Sequence, residues 1–143
     1  MQQRATGSVE YINPESLVKN PAFTQAVAVT GPVKTVYVGA QNAVDGSRNI
    51  IGKGDVVAQT EQVLKNIGAC LEAAGAGPEH VISWNIYVVE GQEVGAAAAA
   101  GMRWLGDRPH PPANNVLFVS AFPNPDLLVS IDAIAVVPVE ADR

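Results

Sequence analysis

The chain has few of the residues that metal centres and disulfide scaffolds require. Its 143 residues include one cysteine, Cys70, and two histidines, His80 and His110. A single cysteine excludes an intrachain disulfide, and neither a CxxC nor an HxxxH spacing occurs. Because a zinc site needs three or four converging ligands, we expect no metal and no other bound cofactor.

Long apolar runs and basic runs are also missing. No stretch of 18 apolar residues occurs, so no membrane-spanning helix is expected, and the opening MQQRATGSVEY lacks the apolar centre of a secretory signal. The net charge is −5, and Lys and Arg form no run of five. A basic face is typical of nucleic-acid binding. We therefore expect a cytoplasmic protein with neither a membrane nor a nucleic acid as partner.

The residues that are present predict one α+β domain spanning residues 1–143. Apolar residues make up 48% of the chain, enough for a sizeable core. Periodicity predicts strands over 9–12, 25–29, 34–39, 81–89, 115–121 and 127–137, and helices over 56–74 and 92–105. Asp55 is the predicted N-cap of the first helix. The tetrapeptide TGPV predicts a hairpin between the second and third strands. The predicted order of elements along the chain is therefore β-β-β-α-β-α-β-β.

The strand patterns also predict an oligomer. Right-handed crossovers place both helices on one face of a single mixed sheet. The last strand is nonetheless apolar on both faces: Leu127, Val129, Ile131, Ala133, Ala135 and Val137 alternate with Leu128, Ser130, Asp132, Ile134 and Val136. Sheets that are apolar on both faces are covered on both, so we expect other subunits on the second face.

Three kinds of residue are candidates for chemistry. Cys70 lies on the apolar stripe of the first helix, which favours a core thiol over a nucleophile. Asp132 is a carboxylate inside an apolar strand, and it is either a general acid or base or an anchor for a neighbouring backbone. Asn114 and Asn115, in PPANN, either cap the turn or face a ligand. The residues alone leave both alternatives open in each of the last two cases.

Four segments together resemble the Rid (YjgF-like) superfamily, named for reactive-intermediate imine deaminases. They are NPAFTQAV, YVGAQNAVDG, DVVAQTEQVLKNIGACLEAAGAGPEHVISWNIYVVEG and RPHPPANNVLFVSAFPNPDLLVSIDAIAV, and the resemblance covers residues 11–137. It implies a chorismate-mutase-like fold and a homotrimer. In such a trimer the sheets form a central barrel, the helices lie outside, and small molecules bind in clefts between subunits.

The resemblance also implies a site, from which this sequence departs. The family's substrate-binding arginine in PARS is matched by Asn114, and its glutamate on the last strand is matched by Asp132, the implied catalytic residue. Three further positions also differ from the family. Phe23 occupies the position of a family tyrosine, Gly39 that of the serine in TSGQ, and Ala97 that of an asparagine on the second helix. A cleft lined by Phe23, Gly39, Gln41, Asn114 and Asp132 is expected to bind a ligand less anionic than an imino acid.

Three functions are compatible with this reading. The first is hydrolysis of a neutral imine or enamine by water addition, with Asp132 orienting the water while Asn114 and Gln41 hold the substrate. The second is a binding or regulatory trimer without turnover. The third, ribonuclease activity, has been attributed to this family, and the acidic charge disfavours it.

Overall fold

The computed structural model of the chain describes residues 4–142. Its elements are β1 (Ser8–Ile12), β2 (Ala26–Thr30), β3 (Val33–Gln41), α1 (Val56–Ala73), β4 (Val81–Val89), α2 (Gly95–Leu105), β5 (Ala113–Val119) and β6 (Val129–Pro138). A short 3-10 turn at Pro78–His80 precedes β4. The predicted α+β class and the order of elements are confirmed. Among the described residues, neither helix combines the length and apolarity needed to cross a bilayer.

The helix starts follow from local hydrogen bonding. The Asp55 carboxylate accepts from the backbone N–H groups of Val57 and Ala58, both at 3.1 Å, and so caps α1 as predicted. Helix α2 begins three residues later than predicted. The chain first makes a turn in which the Gln92 N–H donates to the Val89 carbonyl at 3.3 Å, and this turn delays the first helical residue to Gly95.

The main sheet has the strand order β3-β6-β4-β5. Strand β6 is antiparallel to both β3 and β4, whereas β4 and β5 are parallel and are joined through α2. The β6 residues Val129, Ile131, Ala133 and Ala135 are buried. The last strand of the chain is therefore central in the sheet.

The predicted β2–β3 hairpin is wrong. Strand β2 pairs with β1 in a separate two-stranded sheet, and β3 pairs with β6. The cause is competition from residues distant in sequence: Val139 donates its N–H to the Pro32 carbonyl, and its carbonyl accepts from Gly7, both at 3.1 Å. A Cβ at Gly7 would lie 2.0 Å from the Pro32 oxygen, so this close approach requires glycine.

The core lies on one face of the main sheet, against both helices, as predicted. Helix α1 contributes Val63, Leu64, Ile67 and Leu71, α2 contributes Ala100 and Leu105, and the strands contribute Val38, Val81, Trp84 and Val88. Cys70 is half-buried and packs against this core. A thiol in that position adds apolar contact to the helix.

The other face of the main sheet, which we call the open face, is covered only in part by residues 4–142, since Ser130 and Val136 on it are buried while residues of both edge strands are exposed. Cross-strand pairing places Tyr37, Ile134, Asn85, Asp132, Tyr87 and Leu117 on it. Tyr37 is 78% exposed and Leu117 is 51% exposed. Large apolar side chains exposed together on one sheet face are typical of an interaction surface.

The loop between β3 and α1 is organised by Asp45. Its carboxylate accepts from the backbone N–H groups of Asn49 and Ser47, each at 2.9 Å. These bonds favour the charged carboxylate and so hold the pKa of the Asp45 carboxyl below its usual value. The bond from the Asn49 N–H has the largest effect. Asn66 of α1 fastens the same loop by donating to the carbonyls of Asn42 and Val44, both at 2.9 Å.

Candidate functional site

A cavity of about 190 Å³ lies between α2 and the edge of the main sheet formed by β4 and β5. The cavity exists because the part of α2 that faces β4 and β5 carries small residues, namely Ala97, Ala98 and Gly101. The lining residues are Ala22, Thr60, Trp84, Ile86, Val88, Val94, Ala97, Ala98, Gly101, Met102, Asn114, Val116, Val129 and Ile131. Within residues 4–142, no charged side chain lines it.

Asn114 carries the side-chain amide that is available in this cavity. Of the other polar lining residues, Thr60 donates its hydroxyl to the Val56 carbonyl of its own helix at 2.7 Å, and Trp84 has an uncharged indole N–H that can only donate. Asn114 sits in register with Trp84 at the start of β5, and the side-chain hydrogen bonds found among residues 4–142 do not involve its amide. A carboxamide offers two donors and an acceptor, so Asn114 can bind a neutral polar group of a ligand.

The loop that carries Phe23 is fastened beside Asn114. Thr24 is buried, its hydroxyl donates to the Pro111 carbonyl at 2.6 Å, and its N–H donates to the Pro112 carbonyl at 3.3 Å. The segment 20–25 is thereby held against the proline turn that opens β5. Ala22 from this segment lines the cavity, while Phe23 is half-buried next to it in the chain. Phe23 and Asn114 therefore belong to the same end of the sheet.

Gly39 and Gln41 lie at the opposite edge of the sheet. Both belong to β3, and β6 and β4 separate β3 from β5. Three strand spacings amount to about 14 Å, so a single chain does not bring these residues to Asn114. A Cβ at Gly39 would meet no atom within 4 Å, and the Gln41 amide donates to the Gly39 carbonyl at 3.2 Å.

Asp132 points to the open face, away from the cavity. Its carboxylate accepts from the Asn85 amide at 2.8 Å, and the Asn85 carbonyl oxygen accepts from the Asn115 amide at 2.9 Å. These three side chains form a polar ladder across β6, β4 and β5. The ladder favours the interpretation of Asp132 as an anchor. Asp132 holds the side chain of Asn85, however, and not a backbone group as expected.

The paired asparagines are divided between the two faces of the sheet. Side chains alternate along a strand, so Asn114 faces the cavity while Asn115 joins the ladder on the open face. Sequence reasoning missed Asn85, a strand-interior amide that the same logic used for Asp132 would have selected. It also missed the cavity itself, whose signal is the run of small residues AAAAAG in α2, of which Ala97 lines the cavity.

The nearby arginines, Arg103 and Arg108, do not line the cavity. Arg108 donates to the Tyr11 hydroxyl at 2.8 Å and to the carbonyls of Pro78 and His110 at 3.0 and 2.6 Å. Arg103 lines a separate groove between α1 and α2, together with Trp104. Neither arginine supplies the cavity with a positive charge. Among the described residues, no three side chains of His, Cys, Asp or Glu are grouped so as to hold a metal ion.

Comparison with known proteins agrees with the motifs and the fold. The endoribonuclease L-PSP family matches residues 15–137. A RutC family protein from Synechocystis is 33% identical over 117 residues, covering 81% of this chain and 86% of the relative. The 2-iminobutanoate/2-iminopropanoate deaminase of the rat is 30% identical, covering 80% of each chain.

A solved structure gives the same result. The Rid-family protein of unknown function from Yersinia pestis superimposes with a TM-score of 0.79 at 33% identity, covering 90% of this chain and 98% of the other. The family match, the sequence identities and the superposition agree with one another: the chain belongs to the endoribonuclease L-PSP family of the Rid (YjgF-like) superfamily.

Proposed function

We propose that this protein is a homotrimer that binds a small neutral molecule in clefts between its subunits, with Asn114 as a binding residue in each cleft. The observation that carries the proposal is the composition of the cavity. Its available polar group is an uncharged amide, and no charged side chain among residues 4–142 lines it. A ligand that bears a carboxylate would be desolvated there without a charged partner.

The trimer accounts for two features of the single chain. Tyr37 and Leu117 are exposed on the open face of the single chain, and contact with neighbouring subunits would bury them. Gly39 and Gln41 also lie on the opposite edge of the sheet from Asn114. If the β3 edge of one subunit meets the β5 edge of the next, Gly39 and Gln41 join Asn114 and Phe23 in one cleft. We place the trimer in the cytoplasm.

The loss of the family arginine lowers affinity for 2-imino acids in particular. A guanidinium that binds a carboxylate in a bidentate manner makes two charge-assisted hydrogen bonds, each of which contributes about 1.5–3 kcal/mol. A neutral amide makes one hydrogen bond, which contributes about 1 kcal/mol. A shortfall of this size corresponds to roughly two orders of magnitude in kcat/KM when it applies to the transition state.

Hydrolysis of a neutral imine or enamine is a second candidate. The rat relative named as an imine deaminase supports it. In this scheme Asp132 orients the attacking water, and because the sheet separates it from Asn114 within one chain, it must come from a neighbouring subunit. The family description includes endoribonuclease, but a net charge of −5 and a small apolar cavity disfavour a polyanionic substrate.

Two measurements test the proposed function. Sedimentation velocity is expected to give a trimer, and a stable folded monomer in dilute solution would contradict it. For the cleft, the ¹⁵N side-chain amide resonance of Asn114 is followed during titration with propanamide and with propanoate. We expect the amide to shift this resonance at lower concentration than the acid.

Two variants separate charge from side-chain length. Asn114→Arg is expected to reverse the preference toward propanoate, observed through backbone resonances of β5. Asn114→Gln, which lengthens the neutral amide, is expected to keep the preference for propanamide. Equal binding of both probes by the unmodified protein would show that a group other than Asn114 determines which ligand binds.

A further inference from the structure

We infer that the ligand of this cleft carries an apolar group the size of a phenyl ring or a branched chain of four or five carbons, which enters the cavity between α2 and the sheet. The inference rests on the proposed function, because it places the ligand's neutral polar group at Asn114. It adds a specificity pocket, and it assigns the small residues of α2 the role of setting its size.

The walls of the cavity are stiff and apolar. Strand β4 supplies Trp84, Ile86 and Val88, and β5 and β6 supply Val116, Val129 and Ile131. β-Branched side chains have restricted χ1 rotamers. The Trp84 ring is further held by stacking on Trp104, with centroids 6.0 Å apart and an interplanar angle of 22°. These walls cannot easily collapse into the space.

The helix side of the cavity is formed by Ala97, Ala98 and Gly101, so the space is left by small side chains rather than by a gap in the backbone. A Cβ at Gly101 would lie 3.6 Å from the Trp84 ring, an ordinary contact distance. A larger residue there is therefore tolerated by the packing. Exposed Met102 stands at the rim, where a flexible thioether can adapt to different ligands.

The volume of the cavity suits an apolar group of limited size. Empty apolar space lowers the stability of a protein, and an apolar cavity of about 150 Å³ engineered in another protein admits benzene. The present cavity, at about 190 Å³, has room for a ring of that size. Asn114 provides a hydrogen-bonding group beside it. A neutral carbonyl, imine or amide joined to a phenyl or branched alkyl group satisfies both parts of the site.

The experiment is a titration series with acetamide, isovaleramide and benzamide, followed by the Asn114 side-chain amide and the Trp84 indole N–H resonances. The polar end is the same in all three, so differences in Kd report the apolar group. We expect benzamide and isovaleramide to bind at least tenfold more tightly than acetamide, because their additional apolar area leaves water. Only those two probes are expected to shift the Trp84 resonance.

Ala98→Leu and Ala99→Leu form a matched pair on adjacent positions of α2. Both residues are exposed on the helix, and Ala98 lines the cavity while Ala99 does not. We expect Ala98→Leu to weaken benzamide binding about tenfold or more and to leave acetamide unchanged, and Ala99→Leu to change neither. Gly101→Ala, whose new methyl group has room beside Trp84, is a second variant and is expected to disfavour benzamide relative to acetamide.

The outcomes separate this inference from the proposed function. If all three amides bind with the same Kd, or if Ala98→Leu and Ala99→Leu behave alike, the apolar pocket is not part of the site and the inference is overturned, while Asn114 keeps its role. If none of the amides binds the unmodified protein, both the inference and the proposed function are overturned.

Discussion

Asn114 and Asp132 project from opposite faces of the same sheet: Asn114 into the cavity under α2, and Asp132 onto the open face, where Asn85 holds it at 2.8 Å. The two positions that the resemblance assigns to the family's arginine and glutamate therefore do not meet within one chain. A site that uses both has to be assembled from two subunits. A site that uses Asn114 alone needs no contribution from Asp132.

Removing the carboxylate of Asp132 is expected to affect stability rather than ligand binding at Asn114. Asp132→Ala deprives the Asn85 amide of its acceptor, which costs about 1–2 kcal/mol of unfolding free energy, and the Kd of propanamide stays within about twofold. Asp132→Asn retains an acceptor oxygen and serves as the control, with a smaller loss. Chemical denaturation and the amide titration check these values. Loss of propanamide binding in a stable trimer would instead place Asp132 in the cleft of a neighbouring subunit.

Gln59 fastens α1 to the turn before β6 and is expected to be among the most sensitive positions in the chain. Its buried amide donates to the Asp126 carbonyl at 2.8 Å and the Gly52 carbonyl at 3.2 Å, and its oxygen accepts from the Leu128 N–H at 2.8 Å. Gln59→Leu fills a similar volume but leaves these backbone groups unpaired, at a cost of about 3 kcal/mol or more.

The matched control for this variant is Gln62→Leu on the same helix. Gln62 is half-buried and bonds one side chain, that of Asn66, at 2.9 Å, so its replacement is expected to cost about 0.5–1 kcal/mol. Urea denaturation measures both variants. Equal losses would mean that the backbone groups bonded by Gln59 find other partners.

Arg108 is expected to be a structural residue that cannot be exchanged for lysine. The three nitrogens of the Arg108 guanidinium donate to three separated acceptors, the Tyr11 hydroxyl and the carbonyls of Pro78 and His110. A lysine has a single nitrogen and cannot reach all three positions. Arg108→Lys is therefore expected to lower the unfolding free energy by about 1–2 kcal/mol. Arg103→Lys, on the exposed end of α2, is the control and is expected to change it by less than about 0.5 kcal/mol. A selective loss of propanoate binding in Arg108→Lys would show that Arg108 holds carboxylates after all.

Cys70 is expected to contribute packing and no chemistry. It is half-buried against the core of α1, so Cys70→Ala should lower the unfolding free energy by about 1 kcal/mol and leave propanamide binding and any imine turnover unchanged. Thermal denaturation and the ammonia-release assay check the two parts. Loss of function in a folded trimer would overturn this assignment.

Local signals in the sequence were sufficient for much of the fold. Strand β4 has the predicted bounds, and α1 begins at the predicted residue because Asp55 caps it through a short-range bond. The failed hairpin at TGPV depended instead on Val139, more than 100 residues away, which takes the Pro32 carbonyl. Turn chemistry cannot reveal such a competitor, since pairing is decided by the whole sheet.

The site was less predictable for a related reason. Alternation shows that Asn114 and Asn115 face opposite ways, but which of them faces α2 depends on the register between β5 and Trp84 of β4. The cavity depends on how close α2 approaches the sheet. An alanine-rich helix is compatible with close packing and equally with an empty space beside it, and only the packed arrangement distinguishes the two.

The central claim, that an uncharged amide has replaced the carboxylate-binding arginine, is tested most directly by ammonia release from freshly generated imines of alanine and leucine. The protein is assayed beside a family member that carries PARS. We predict a kcat/KM roughly two orders of magnitude lower than that of the relative, a partial gain in Asn114→Arg, and no gain in Asn114→Gln. Turnover by the unmodified protein equal to that of the relative would contradict the account.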